Sequence, residues 1–382
     1  MDKNINNLRW DPSVCIRGTN TVEFWKTHFS DKNRKALFIL GKGFDVRMNI
    51  ALQSLLSASP DINIECWLIE YQEGAGSNSV KYKKYVDENL EELHTIIKKE
   101  KIESKKIALW DVKSKSKRKR VGDRQAAQIL NSIDQIKDFS DIIVDISALP
   151  RGVYFSLVGK FLTFIDAFLK EKIPNFFVAV SENAEIDAKI REKEPDAEVG
   201  YLHGFGGGLE LSSESEEPVV WFPVLGEDKN EHLERAHTHI NPNEICPVLP
   251  FPSKNPRRSD SLISEYHQLL FEKLTIEPQN LMYVPEQNPF ESYGRLTRAI
   301  INYYNSLEAL GGCKAVISTF SSKLLSIGPL LSAYELINHI GVGILNVDSQ
   351  GYDIDDFDEI KKLKENTELF VIWLTGEPYD ET

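Results

Sequence analysis

The chain has 382 residues, 41% of them hydrophobic and 10% aromatic, with 45 Lys and Arg against 58 Asp and Glu for a formal charge of −13. That apolar content excludes a wholly disordered chain, the length exceeds what one core normally organises, and the acid excess excludes a protein that coats nucleic acid with its whole surface. Cys15, Cys66, Cys246 and Cys313 are far apart with no CxxC spacing, so neither a zinc knuckle nor a disulfide framework is expected, and a reducing cytoplasm is the expected setting.

Residues 36–40, Ala-Leu-Phe-Ile-Leu, form a continuous apolar run closed by Gly41-Lys42-Gly43, the pattern of a buried strand entering a tight turn, with a helix following to about Ser57. Ile62 to Tyr71 reads as the next strand, then a Gly/Ser loop at 74–79 and a polar helix from Val80 to Lys99. Ile107 to Val112 is a third strand, Asp123 to Ile136 has helical spacing, and Ile142 to Ile146 is a fourth strand. The helix after Arg151 carries the strongest apolar stretch, Val153 to Leu169, but Lys160 and Asp166 interrupt it; with a polar amino end as well, no membrane span or signal core is expected. Phe176 to Val180 is a fifth strand.

Between Gly200 and Pro218 glycines give way to Ser212, Ser213, Glu214, Ser215, Glu216 and Glu217, a composition that cannot pack a core. Beyond it the alternation restarts, with strands at 219–225, 245–251, 281–284, 315–318, 343–347 and 369–374 and helices at 228–240, 262–273, 293–310 and 324–337. Strands alternating with helices predict parallel pairing. The expected fold is therefore α/β: a Rossmann-like domain over 1–200, a linker or hairpin over 201–217, and a second Rossmann-like domain over 218–382, with mainly parallel sheets. An internal duplication is one reading of this repetition, and the ordinary recurrence of strand-turn-helix units is the other.

One arrangement appears twice. Asp145-Ile146-Ser147-Ala148-Leu149-Pro150-Arg151 and Ile317-Ser318-Thr319-Phe320-Ser321-Ser322-Lys323 each run from a strand through hydroxyls to one cation and then a small-residue helix. At the carboxyl edge of a parallel sheet, free helix N–H groups and such side chains hold anions. Ser147, Arg151, Ser321, Ser322 and Lys323 are thus candidate ligand contacts. Lys42, Asp45 and Arg47 in the first turn are further candidates, the cations for phosphate and Asp45 for a ribose hydroxyl; the alternative there is a capped turn without a ligand. A looser match pairs Lys42–Arg47 with Ser253–Arg258. Asp348, at a strand end, is placed to take a ribose hydroxyl or Mg²⁺, whereas Asp353, Asp355, Asp356 and Asp358 read as an exposed acidic turn.

Lys115, Lys117, Arg118, Lys119 and Arg120 form a basic loop suited to guiding an anionic ligand or nucleic acid towards the sheet edge, or simply a solvated loop. It contains no aromatic residue for base stacking. The spacing of His232, His237 and His239 does not suit a metal, no HExxH, P-loop or GxSxG pattern occurs, and the sequence names no cofactor.

Ile317 to Glu335 resembles the strand-to-helix element of CARF-type Rossmann-like ligand sensors, with Ser321-Ser322-Lys323 standing where a glycine-threonine-lysine turn is usual. The resemblance covers about twenty residues and implies a sensing or regulatory module of a prokaryotic conflict system such as antiphage defence. The expected function is recognition of a nucleotide or other phosphorylated small molecule, with a protein partner in a multi-component system. The alternatives are an enzyme on a nucleotide or sugar phosphate, with Asp45 or Asp145 as general base, and a scaffold that binds a protein or nucleic acid.

Overall fold

The structure is a computed structural model that describes residues 8–72, 78–114, 117–169, 172–206, 208–209 and 217–379. Contacts divide the chain into two compact units, one formed by Pro12–Lys193 with Gln350–Thr382 and one by Glu194–Ser349 with the stretch up to Asp11. Among the described residues no helix is long and apolar enough to cross a membrane.

In the first unit, a seven-stranded sheet has the order Val14–Arg17, Glu368–Thr375, Asn175–Glu182, Asp141–Asp145, Lys35–Gly41, Asn63–Gln72, Ile102–Ala108. The last five of these pair in parallel, and the first two are antiparallel additions. Numbered along the chain, the parallel strands lie in the order third, second, first, fourth, fifth. Buried strands in such a sheet are covered on both faces, which is why Leu37–Leu40 and Ile142–Val144 are apolar without alternation. Helix Arg151–Phe168 buries Val153, Phe155, Leu157, Val158, Phe161 and Leu162, so its apolarity belongs to the protein interior.

At the amino edge of this sheet, Asp141 is fully buried. His28 Nε2 lies 2.6 Å from its Oδ1, Ser140 donates to its Oδ2 at 2.6 Å, Asn175 donates at 3.0 Å, and Arg34 pairs with it at 3.4 Å. Burial alone would raise the Asp141 pKa; the bonds from His28 and Ser140, with Arg34 behind them, outweigh it and hold the carboxyl below its ordinary value.

The second unit repeats the order. Met282–Val284, Val248–Pro250, Val219–Val224, Lys314–Thr319 and Val342–Ser349 are parallel neighbours, again third, second, first, fourth and fifth along the chain, and Pro195–Tyr201 adds to the fifth strand antiparallel. Glu244–Ile245 makes a short extra pairing with the first strand.

Three expectations need correction. Residues 350–382 do not belong with the second domain: the terminal strand Glu368–Thr375 is inserted beside Asn175–Glu182, because its Phe370, Val371 and Ile372 complete the first unit's core rather than the second's. The boundary expected over 201–217 moves as well, since Pro195–Tyr201 already pairs in the second sheet; Ser212–Glu216 lie outside the described residues. The acidic stretch after Asp348 is not a plain turn, for Tyr352–Ile354 pairs with Ile190–Glu192 and Asp356 caps helix Phe357–Leu363. Strand Val14–Arg17 and helices Asn20–His28 and Ala184–Lys189 are additions to the expected elements.

Candidate functional site

An order of third, second, first, fourth, fifth places a topological switch point between the first and fourth strands, where the connections leave towards opposite sides and a crevice opens at the carboxyl ends. The turns flanking it are 41–47 and 146–150 in the first unit and 225–229 and 320–322 in the second. The two arrangements singled out in the sequence, 145–151 and 317–323, both follow fourth strands and are topologically equivalent. Lys42–Arg47 and Ser253–Arg258 are not, because the first follows a first strand and the other a second strand; the counterpart of 42–47 is 225–229.

A glycine brings the flanking turns together in each unit. A Cβ on Gly41 would lie 2.6 Å from Leu149 Cδ2 and 2.9 Å from the Ala148 carbonyl oxygen, and one on Gly226 would lie 2.3 Å from the Phe320 carbonyl oxygen. Only a residue without a side chain permits this backbone approach.

Of the first-turn candidates, Lys42 pairs with Glu70 at 2.9 Å. Arg47 is buried and donates to Asp45 through Nε at 2.9 Å and Nη2 at 2.8 Å, while Nη2 also meets Asp187 at 2.8 Å. Burial would lower the Arg47 pKa, but Asp187 and Asp45 more than compensate and raise it. Asn89 donates to the Gly43 and Asp45 carbonyls at 2.9 Å each, which fixes the turn. Asp45 and Arg47 are therefore engaged with each other in a bidentate internal pair.

In the second turn, Asp145 Oδ1 accepts from the Ser147 hydroxyl at 2.5 Å and from the Ser147 N–H at 2.9 Å, and Ser147 Oγ accepts from the Ser181 N–H at 2.9 Å. Arg151 opens the 18-residue helix Arg151–Phe168 after the extended Pro150. Burial works against its charge, but Tyr154 and Glu192, with Tyr352, hold its pKa above the ordinary value. Beside it, the Arg120 guanidinium occupies the space over Gly152, with Nη2 only 1.8 Å from where a Cβ would stand. Two guanidiniums thus reach the first turn of one long helix, whose amino end itself favours anions.

Arg120 arrives by an element the sequence did not reveal. The basic stretch is largely a two-stranded hairpin, Trp110–Ser114 paired with Lys117–Arg120, and Trp110 stands opposite Arg120. Lys117 and Arg118 lie on its second strand, Lys119 is exposed, and Lys115 lies outside the described residues.

The second unit's switch point is occupied differently. Arg258 meets Glu227 through Nε at 2.6 Å and Nη2 at 2.8 Å, pairs with Glu286, and donates to the Ser321 hydroxyl at 3.4 Å. Ser322 caps helix Lys323–Leu336 by accepting from the Leu325 N–H at 3.3 Å, and Lys323 is the first residue of that helix. Gly328 and Ser332 face helix Pro289–Ser306: a Gly328 Cβ would lie 2.8 Å from Ser292 Cβ, and Ser332 Oγ donates to the Tyr293 carbonyl at 3.1 Å. The small-residue helix therefore serves helix packing. Asp348 accepts from Asn346 Nδ2 at 2.7 Å. His232 lies 3.0 Å from the Ser349 hydroxyl, and among the described residues no group of His, Cys, Asp or Glu is arranged to hold a metal.

No family model and no curated protein matches the chain. Similar solved structures include a protein described as a universal stress protein from Pseudomonas aeruginosa UCBPP-PA14, 12% identical over 87% of this chain and 97% of that one, with a TM-score of 0.22. A universal stress protein from Archaeoglobus fulgidus DSM 4304 is 10% identical over 83% and 97% of the two chains, also at 0.22. MNMC2 from Aquifex aeolicus is 12% identical over 49% and 54%, at 0.22. Likenesses this distant carry no functional argument, and the α/β class rests on the strand pairings themselves.

Proposed function

We propose that the protein binds a nucleotide or another phosphorylated small molecule at the carboxyl edge of the first unit's sheet, as a sensing or regulatory component. The observation that carries this reading is the placement of Arg120 against Gly152 beside Arg151, at the amino end of a long helix and at the switch point. Guanidiniums suit phosphate because each offers a planar fork of donors. Binding is preferred to turnover because acids at this edge already accept from neighbours: Asp45 from Arg47, Asp145 from Ser147 and Glu70 from Lys42. Lys323, at the equivalent position of the second unit, is the proposed cation of a second, related site. Its surroundings, a fourth strand followed by a capped helix, support the sensor-like resemblance of 317–335 and, through it, a place in a prokaryotic conflict system.

The test is calorimetric titration and thermal-shift measurement with a nucleotide panel and inorganic pyrophosphate. A ligand at a hundred times its Kd stabilises the native state by about 2.7 kcal/mol. Arg120→Ala and Arg151→Ala are each expected to weaken binding by about 1.5–3 kcal/mol, with Arg151→Lys intermediate. Failure of every phosphorylated ligand to stabilise the protein, or unchanged affinity in both alanine variants, overturns the reading.

A further inference from the structure

Arg47, which is buried, and Arg151, which is partly buried, at the first unit's carboxyl edge each feel a carboxylate from one short segment. Asp187, on helix Ala184–Lys189, lies 2.8 Å from Arg47, and Glu192, at the end of strand Ile190–Glu192, acts on Arg151. Glu192 stands directly opposite Tyr352 in the pairing of that strand with Tyr352–Ile354, and Tyr352 is itself a neighbour of Arg151. The tyrosine hydroxyl of Tyr82 holds the second strand, donating to the Tyr352 carbonyl at 3.2 Å and accepting from the Ile354 N–H at 3.0 Å. Around these strands Phe44, Val46, Tyr82, Ile186, Phe357 and Ile360 form a small core separate from the main one.

We propose that residues 183–193, with their partner strand Tyr352–Ile354, are a latch that closes the carboxyl edge of the first unit with its own carboxylates and is released when an anionic ligand takes Arg47 and Arg151. The inference rests on the ligand-binding reading above and assigns that site its regulation. Asp187 lies against Arg47 and the charge of Glu192 acts on Arg151, so a phosphate drawn to these guanidiniums would compete with the latch, and the ligand shifts the equilibrium by its preference for the open form. Opening must break the Tyr82 bonds to Tyr352 and Ile354 and the Lys81–Asp353 pair and part Ile186 from Phe44 and Val46, but these belong to a satellite core whose opening leaves the seven-stranded sheet paired. The latch also lies on two of the three crossings between the units: the chain leaves the first unit after Lys193 and returns at Gln350, and the Lys193 N–H donates to the Gly351 carbonyl at 2.9 Å.

Hydrogen exchange on the full chain, with and without inorganic pyrophosphate, tests this alongside titration of Asp187→Asn and Glu192→Gln. Pyrophosphate is expected to lower protection of the amides of 184–193 and 352–354 in the native sequence. Each variant is expected to lower it without any ligand and to bind pyrophosphate on the order of tenfold more tightly. Binding that depends on Arg151 but leaves those amides and both variants' affinities unchanged overturns the latch and spares the site. Absence of pyrophosphate binding in the native sequence and in both variants overturns the site and the latch with it.

Discussion

Asp141 and Arg47 are both buried charges, and each is tolerated because its partners are complete. Asp141 gathers His28, Ser140, Asn175 and Arg34 at the amino edge, far along the strands from the candidate site, and its work is to hold the starts of three strands together. Its lowered pKa fixes the sign of the pH dependence. The stabilisation is complete above about pH 4, the ordinary aspartate value, and is lost as pH falls through the lower folded-state pKa. Asp141→Ala is expected to cost about 3 kcal/mol at neutral pH by removing the acceptor of buried His28 and one of the two carboxylates that pair with Arg34. Urea unfolding between pH 3 and 7, a range set by that value, should show the variant's stability flatter with pH than the native protein's; parallel curves would disprove the assignment. Arg258 teaches the complementary point. In the sequence it only ends the stretch loosely matched to Lys42–Arg47; Glu227 and Glu286, 31 and 28 residues away, supply its counter-charges, and no local pattern announces them.

Glycines at the switch points separate what an element needs for folding from what it needs for binding. A Cβ at Gly226 would strike the backbone of Phe320 and Ser321, which cannot yield, so Gly226→Ala is expected to destabilise by about 3 kcal/mol. A Cβ at Gly152 meets only the far end of the Arg120 side chain, and alanine favours the helix by about 1 kcal/mol over glycine. Gly152→Ala should therefore keep or slightly raise the melting temperature while displacing Arg120 and weakening pyrophosphate binding; equal loss of stability in both variants would refute the distinction. Parallel strands such as Leu37–Leu40, Ile142–Val144 and Val219–Val224 were readable in the sequence because burial on both faces writes an unbroken apolar run. Val14–Arg17 was not, for it is a four-residue edge strand with only alternate residues partly covered. The equivalence of 145–151 and 317–323 was readable from the strand-turn-cation pattern, whereas Arg120 joins the site only through the folding back of a hairpin whose second strand, Lys117–Arg120, is wholly charged and carries no apolar signal.

At the scale of the whole molecule, two sheets share one topology, and the chain builds the parallel strands of the first, then the second sheet, and returns to the first. The returning strand Glu368–Thr375 is the reason a boundary drawn near residue 200 misleads: it lies between Val14–Arg17 and Asn175–Glu182, and burying Phe370, Val371, Ile372 and Leu374 there covers an edge that would otherwise expose unpaired backbone beside apolar side chains. A fragment ending at residue 200 should accordingly be insoluble or molten. A chain in which Lys193 is joined to Gln350 by a few glycine and serine residues should fold, since the two ends are already held side by side by the Lys193 to Gly351 hydrogen bond. The expected result is a cooperative denaturant transition and dispersed amide resonances for the joined unit and neither for the truncated one. If the truncated fragment unfolds as cooperatively as the joined unit, the terminal strand is an accessory to a sheet that is complete without it.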